Sequence, residues 1–270
     1  EELSEGTSDE SDDEAPPNKR AKLRLPSCVG ELFDSHKDDP ADHQGRQRRI
    51  AHVDGNYATL VYLPISLQDS WSQCAASCAA VLHSIATSTS DVYRDEPEIH
   101  TIDATCSPGW HVSLGPMVML RSQFIGPFLA RLENACKEVG PLGRLKFAAD
   151  IEIFASKQGG RYFAGPVVSE AYSHKLKDVA ALVKSCCEAF GLAEKQSIDS
   201  MRFHCSLAWT CADLESCLAT SGAIRQETEW GVSWRLPGGK QEVSRLIAPA
   251  RALQVKVGER SHAFPFPTAP

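Results

Sequence analysis

No C-x-x-C pair occurs among the ten cysteines of this 270-residue chain, so nothing in it starts a zinc knuckle. Cys74 and Cys78 stand four apart within a helical pattern, Cys186 and Cys187 are adjacent, and Cys28, Cys106, Cys136, Cys205, Cys211 and Cys217 are scattered. The first residues are acidic, unlike a secretory leader, so buried reduced thiols are the expected state. The chain also lacks D-x-D, H-x-H and H-E-x-x-H constellations, the usual sequence marks of a catalytic metal, and neither a metal nor any other cofactor is expected. No apolar run approaches the ~20 residues that span a bilayer, so no membrane partner is expected either. A strong charge of one sign is missing as well. The formal net charge of −7 comes from Glu1, Glu2, Glu5, Asp9, Glu10, Asp12, Asp13 and Glu14; without these eight, the 35 acidic residues fall to 27, against 28 basic ones. A nucleic-acid site must therefore be a local patch and not a global field.

Apolar residues at 42% and charged residues at 23% are ordinary for a globular protein. They are unevenly spread. Residues 1–50 show no apolar periodicity and are rich in Glu, Asp, Ser, Pro, Lys and Arg, which predicts a disordered tail. Within it, Lys19, Arg20, Lys22 and Arg24 form a basic cluster and Arg46, Arg48 and Arg49 a second, a pattern resembling a nuclear localisation signal. Residues 51–270 are expected to form the folded domain.

That domain reads as two halves built on one plan. Ala58 to Leu63 is β-branched and aromatic before Pro64 and predicts a strand. Leu67, Trp71, Cys74, Cys78, Val81 and Ile85 recur at helical spacing, predicting a helix over about 66–86. A short strand from Trp110 to Leu114 and a helix over 124–139 follow, with Pro127 requiring a late start or a kink. In the second half, strands over 145–154 and 162–168 flank the turn Gln158-Gly159-Gly160, and a helix over 174–190 follows. A strand over 201–209, a helix over 211–221, and strands over 230–235 and 252–257 complete the reading, while 222–250 carries little pattern. This is an α+β chain with an internal duplication.

Each half contains one small pattern in the same place: Trp110-His111-Val112-Ser113-Leu114 and Phe203-His204-Cys205-Ser206-Leu207. On a strand, residues i and i+2 share a face, so His and Ser project together while their neighbours enter the core. Among nine histidines, two matches to His-apolar-Ser/Thr-apolar arise by chance in roughly 2% of such chains, so the duplication argues for function. Two facing imidazoles suit the cleavage of RNA by its own 2′-hydroxyl. One neutral ring accepts the 2′-OH proton, and the other, charged, protonates the departing 5′-oxygen. The serines can donate hydrogen bonds to the phosphate oxygens. A covalent serine nucleophile would need a third orienting acid and leaves the duplication unexplained.

Two such motifs, 93 positions apart in a duplicated α+β chain, resemble the 2H phosphoesterase superfamily. Flanking residues resemble its U6 small nuclear RNA phosphodiesterase branch: Gly55-Asn56-Tyr57-Ala58-Thr59-Leu60-Val61-Tyr62-Leu63-Pro64, Arg161-Tyr162-Phe163-Ala164-Gly165, and Phe203 to Trp209. The resemblance covers about residues 50–266. It implies a two-lobed, pseudo-twofold 2H phosphoesterase fold with an antiparallel sheet and helices in each lobe. It also implies a nuclear, metal-independent 3′-to-5′ exoribonuclease, and the chain is expected to act as a monomer. Such an enzyme trims the uridine-rich 3′ end of U6 RNA and leaves a 2′,3′-cyclic phosphate, which some members open further. Carried over by motif, His111 and His204 are the acid–base pair, and Ser113 and Ser206 bind the phosphate. Tyr162, Arg161 and Tyr57, with Lys195, are candidate RNA contacts. Where one member of the family has a base-stacking aromatic six positions before the second His, this chain has Ile198. Two rival readings remain open at this level. One is hydrolysis of 2′,3′-cyclic nucleotides or 2′–5′ oligonucleotides; the other is a non-catalytic RNA-binding protein.

Overall fold

A computed structural model describes residues 53–66, 68–88, 96–155, 160–192, 197–236 and 246–268. The chain divides into two units, Glu1–Arg48 and Arg49–Pro270, and the described residues belong to the second. The tail and both basic clusters lie outside them, as do Leu67, Lys195 and most of the turn at 158–160.

Strand β1 (Asn56–Pro64) runs through the expected segment, with Thr59, Val61 and Leu63 buried on one face. Helix α1 (Asp69–Ala86) buries Trp71, Cys74, Ala75, Cys78, Leu82 and Ile85, the i, i+3, i+4 spacing of one apolar stripe. Leu82, not Val81, is the buried residue of its last turn but one. Strands β2 (Ile99–Thr101), β3 (His111–Ser113) and β4 (Val118–Arg121) follow, then a 3₁₀ turn over Ser122–Phe124 and helix α2 (Ile125–Glu138). Pro127 falls in the first turn of α2, where its missing N–H has no intrahelical partner to lose, so the late start accommodates it.

The long strand β5 (Arg144–Ala155) pairs with β6 (Tyr162–Val168) through an irregularity between Phe147 and Ile151. Helix α3 (Glu170–Glu188) begins four residues before the expected start. The expected strand over 201–209 is realised as β7 (Ala208–Thr210) preceded by single bridges at His204 and Cys205. Helix α4 (Glu215–Thr220) is shorter than expected, because Thr210 Oγ1 and Asp213 Oδ1 accept the Ala212 and Glu215 N–H groups and turn the chain first. Strands β8 (Ile224–Thr228), β9 (Gly231–Arg235), β10 (Ile247–Pro249), β11 (Ala252–Val257) and β12 (Arg260–Pro265) complete the order; β8 and β10 lie in the weakly patterned segment.

The strands form two antiparallel sheets. The first has the order β12-β11-β1-β3, with β4 also on β1; the second runs β2-β7-β6-β5-β9-β8, with β10 on β5. The halves exchange elements: β2, from the first, closes the second sheet beside β7, and β11 and β12, from the end of the chain, complete the first. Helix α1 packs on β2, β6 and β7, while α2 packs on α3 and β12. Each sheet is thus covered on one face, and the duplicated plan is intertwined, not laid out as two successive lobes.

The segment carrying the second motif lies along β6, with Cys205 and Leu207 donating backbone N–H bonds to the Pro166 and Ala164 carbonyls at 3.0 and 2.9 Å. Gly165 makes this approach possible, since a Cβ there would stand 1.8 Å from the Cys205 carbonyl oxygen. Gly165→Ala is therefore expected to destabilise the fold by about 1–3 kcal/mol and displace the motif. Gly126→Ala, within α2 where nothing lies within 4 Å, is expected to stabilise it by about 0.5–1 kcal/mol. Urea unfolding of the two variants checks the opposite signs.

Candidate active site

The two sheets meet at one bridge, an antiparallel pairing of Val112 with Cys205. Both residues are fully buried. The register puts His111 opposite Ser206 and Ser113 opposite His204. Because side chains alternate, all four point away from the face that takes Val112 and Cys205. All four are half-buried. Each histidine thus has one serine two residues along its own strand and the other motif's serine across the bridge.

Both rings are held alike. His111 Nδ1 lies 2.7 Å from the Gly109 carbonyl, and His204 Nδ1 lies 2.9 Å from the Arg202 carbonyl, the residue two positions earlier in each case. A carbonyl only accepts, so Nδ1 carries the proton and Nε2 is the lone-pair nitrogen of each neutral ring. Gly109 reaches its conformation at φ +58, and a Cβ there would stand 2.6 Å from the Ala104 carbonyl oxygen. The ring of Tyr62, opposite Ser113 in the β1–β3 register, meets His111 edge-on at 5.2 Å between centroids. Phe154 of β5 stacks on His204 at 3.7 Å and 10°. Burial lowers both imidazoles from their ordinary value. His204 is brought to about 4, with nearby His111 and Arg202 also lowering it and the Arg202 carbonyl bond and Glu152 opposing. Both rings are therefore neutral at pH 7 with the site unliganded.

Beside His204, three charged groups form a cluster that the sequence reading did not single out. Arg202 donates to both carboxylate oxygens of buried Glu152, its Nε at 2.6 Å from Oε2, and Arg235 Nε donates to Oε1 at 3.2 Å. The strand register aligns Glu152 with Arg235 of β9 and with Gly165 of β6. Spacing alone hints at Arg202, which shares a strand face with His204; nothing in the sequence links it to position 152.

Of the other expected contacts, Tyr162 and Tyr57 lie away from the four motif side chains. Tyr162 is buried on the helix-covered face of its sheet, donating its hydroxyl to Asp213 at 3.1 Å with its ring near Trp234. Arg161 lies over the Phe163 ring at 5.8 Å, and Phe163 is paired across the β5–β6 register with Phe154, whose ring stacks on His204. Tyr57 is exposed near the far end of β1, on the opposite face from Tyr62. Ile198 joins Trp230, Val61, Leu114, Val183 and Cys187 around a small apolar pocket that includes none of the four motif side chains. Among the described residues, no group of three or more His, Cys, Asp or Glu could hold a metal ion, and no helix is long and apolar enough to cross a membrane. The nine described cysteines form no disulfide; Cys106 and Cys211 are exposed and the others buried.

The family HVSL, described as an uncharacterised conserved protein, matches residues 23–265. Relatives similar to the chain include U6 snRNA phosphodiesterase 1 of Bos taurus, 28% identical over 91% of this chain and 84% of that protein. The Homo sapiens protein of the same name is 26% identical over 79% of this chain and 74% of its own length. The solved structure of Kluyveromyces marxianus Usb1 has the same fold, with a TM-score of 0.52 at 12% identity over 77% of this chain and 98% of that one. A second Kluyveromyces marxianus Usb1 structure, with uridine monophosphate, gives a TM-score of 0.51 at 13% identity over the same shares.

An NMR titration of the two imidazoles is expected to give both midpoints below the ordinary value of about 6.5, with that of His204 near 4. In the unfolded chain both protonate near pH 6.5, so below that value the unfolded state binds more protons. Their contribution to stability is complete above about pH 6.5 and is lost as pH falls through the folded values. A urea series from pH 7 to 4 checks the sign.

Proposed function

The chain belongs to the HVSL family, and from that membership and the four-residue site we propose that it is a 3′-to-5′ exoribonuclease acting on U6 small nuclear RNA. The observation that carries the reading is the register across Val112 and Cys205. It gathers two histidines with free Nε2 atoms and two serines on one surface. The printed names of the relatives supply the substrate.

In this reading, His111 and His204 are the acid–base pair, and Ser113 and Ser206 bind the phosphate. One neutral imidazole takes the proton from the 2′-hydroxyl of the penultimate ribose through Nε2. The 2′-oxygen attacks the adjacent phosphorus, the bond to the 5′-oxygen of the terminal nucleotide breaks, and the second ring, protonated, gives its proton to that oxygen. The serine hydroxyls donate to the non-bridging oxygens as charge gathers there. The shortened RNA keeps a 2′,3′-cyclic phosphate, the terminal nucleoside leaves, and exchange with water resets both rings. The half-buried, neutral second ring acquires its proton when the phosphodiester anion arrives, because a nearby negative charge favours the charged imidazole. No step needs a metal. Residues 51–270 form the catalytic domain, active as a monomer, and the basic clusters of residues 1–50 direct it to the nucleus.

Incubation with 5′-labelled oligouridine in EDTA is expected to yield a ladder shortening from the 3′ end. His111→Ala and His204→Ala are each expected to lower kcat by roughly 10²–10⁴-fold, and either serine-to-alanine change by up to roughly 10²–10³-fold. Loss of the ladder on chelation, or full activity without either histidine, would overturn the reading. Because both free rings titrate low, kcat/KM is expected to peak below about pH 6.5. The alkaline limb of kcat should lie at higher pH, as the bound anion raises the acid.

A further inference from the structure

Among the described residues, the buried polar or charged side chains are Thr59, Glu152, Thr210 and Ser233, and only Glu152 carries a charge. Burying a carboxylate is costly unless it is paired and hydrogen-bonded, and replacing such a cluster by apolar residues is often neutral for stability. Stability alone is therefore a weak reason for it. Its position supplies a better one. Glu152 and Phe154 are two apart on β5 and share a face, and Phe154 stacks on His204. Glu152 grips Arg202 through the paired bonds that a planar guanidinium makes with a carboxylate. The carbonyl of that same Arg202 accepts the hydrogen bond of the His204 Nδ1–H at 2.9 Å.

We propose that Glu152 is a positioning residue for His204: by fixing Arg202 it fixes the carbonyl that sets the tautomer and direction of the ring. Arg235, bound to the same carboxylate from β9, ties this arrangement to a second strand and leaves the cluster with one net positive charge. The other motif reaches the same result without charges. His111 is anchored by the carbonyl of Gly109, whose left-handed backbone aims it directly. The site is thus symmetric at the reacting atoms and asymmetric in what holds them.

The inference rests on the proposed exoribonuclease activity for one readout and not for the other. Glu152→Gln removes the charge, and Arg202→Lys keeps the charge but loses the two-pronged bond. In folded variants, kcat on oligouridine is expected to fall roughly 10²-fold, the size of effect a misplaced catalytic group produces, with KM little changed. In parallel, ¹⁵N NMR is expected to show His204 passing from a single Nδ1–H tautomer to a mixture, while His111 stays as it was. A variant with lowered thermal stability but an unchanged His204 tautomer and wild-type kcat would overturn the proposal and leave Glu152 a structural ion cluster. If Glu152→Gln does not fold, Arg202→Lys decides by the same two readouts. If the wild-type protein cuts no RNA, the functional reading fails, and the tautomer measurement still decides this one.

Discussion

The antiparallel bridge between Val112 and Cys205 is the contact on which the site depends. It joins the edges of two sheets by two short segments, each too brief to hold a position alone. Burial does the holding: Val112, Leu114, Cys205 and Leu207 are all fully enclosed on the side away from the histidines. A one-residue slip at the bridge would turn His111 and Ser113 into that core and bring apolar side chains to the surface, so the register is strongly specified. The close approach of the Cys205 carbonyl to Gly165 fixes the second segment from its other side.

Around this bridge, the two halves use the same device with different parts. Each histidine donates through Nδ1 to a carbonyl two residues upstream and rests against an aromatic ring, edge-on for His111 and stacked for His204. Burial that keeps the rings neutral also strengthens any charge brought to them, because a poorly hydrated pocket screens less. A phosphodiester anion entering such a site meets two serine hydroxyls and two imidazoles ready to change charge. That combination is what proton transfer in both directions requires.

Much of this was legible before any coordinates. The apolar spacing of Trp71, Cys74, Cys78 and Ile85 is that of α1, and the alternation around Val61 is that of β1. The duplicated His-x-Ser spacing, with the alternation of a strand, already requires each pair to share a face. Short edge strands such as β2, β4 and β10 were not legible, because three or four residues carry too little pattern to separate a strand from a loop. Tyr162 illustrates a different limit. Its neighbours resemble the family's, yet which face of β6 a tyrosine occupies depends on the parity of the whole strand, and here the core takes it.

By itself, the sequence determined the longer strands and helices, the duplication and the identity of the four polar side chains at the site, because these follow from local spacing and the alternation of a strand. Only the tertiary structure decided that the halves exchange strands, that His111 faces Ser206, and that Glu152, fifty positions before Arg202, reaches its guanidinium. Pairings between distant segments are set by which edges and faces find burial together, and no local pattern encodes that.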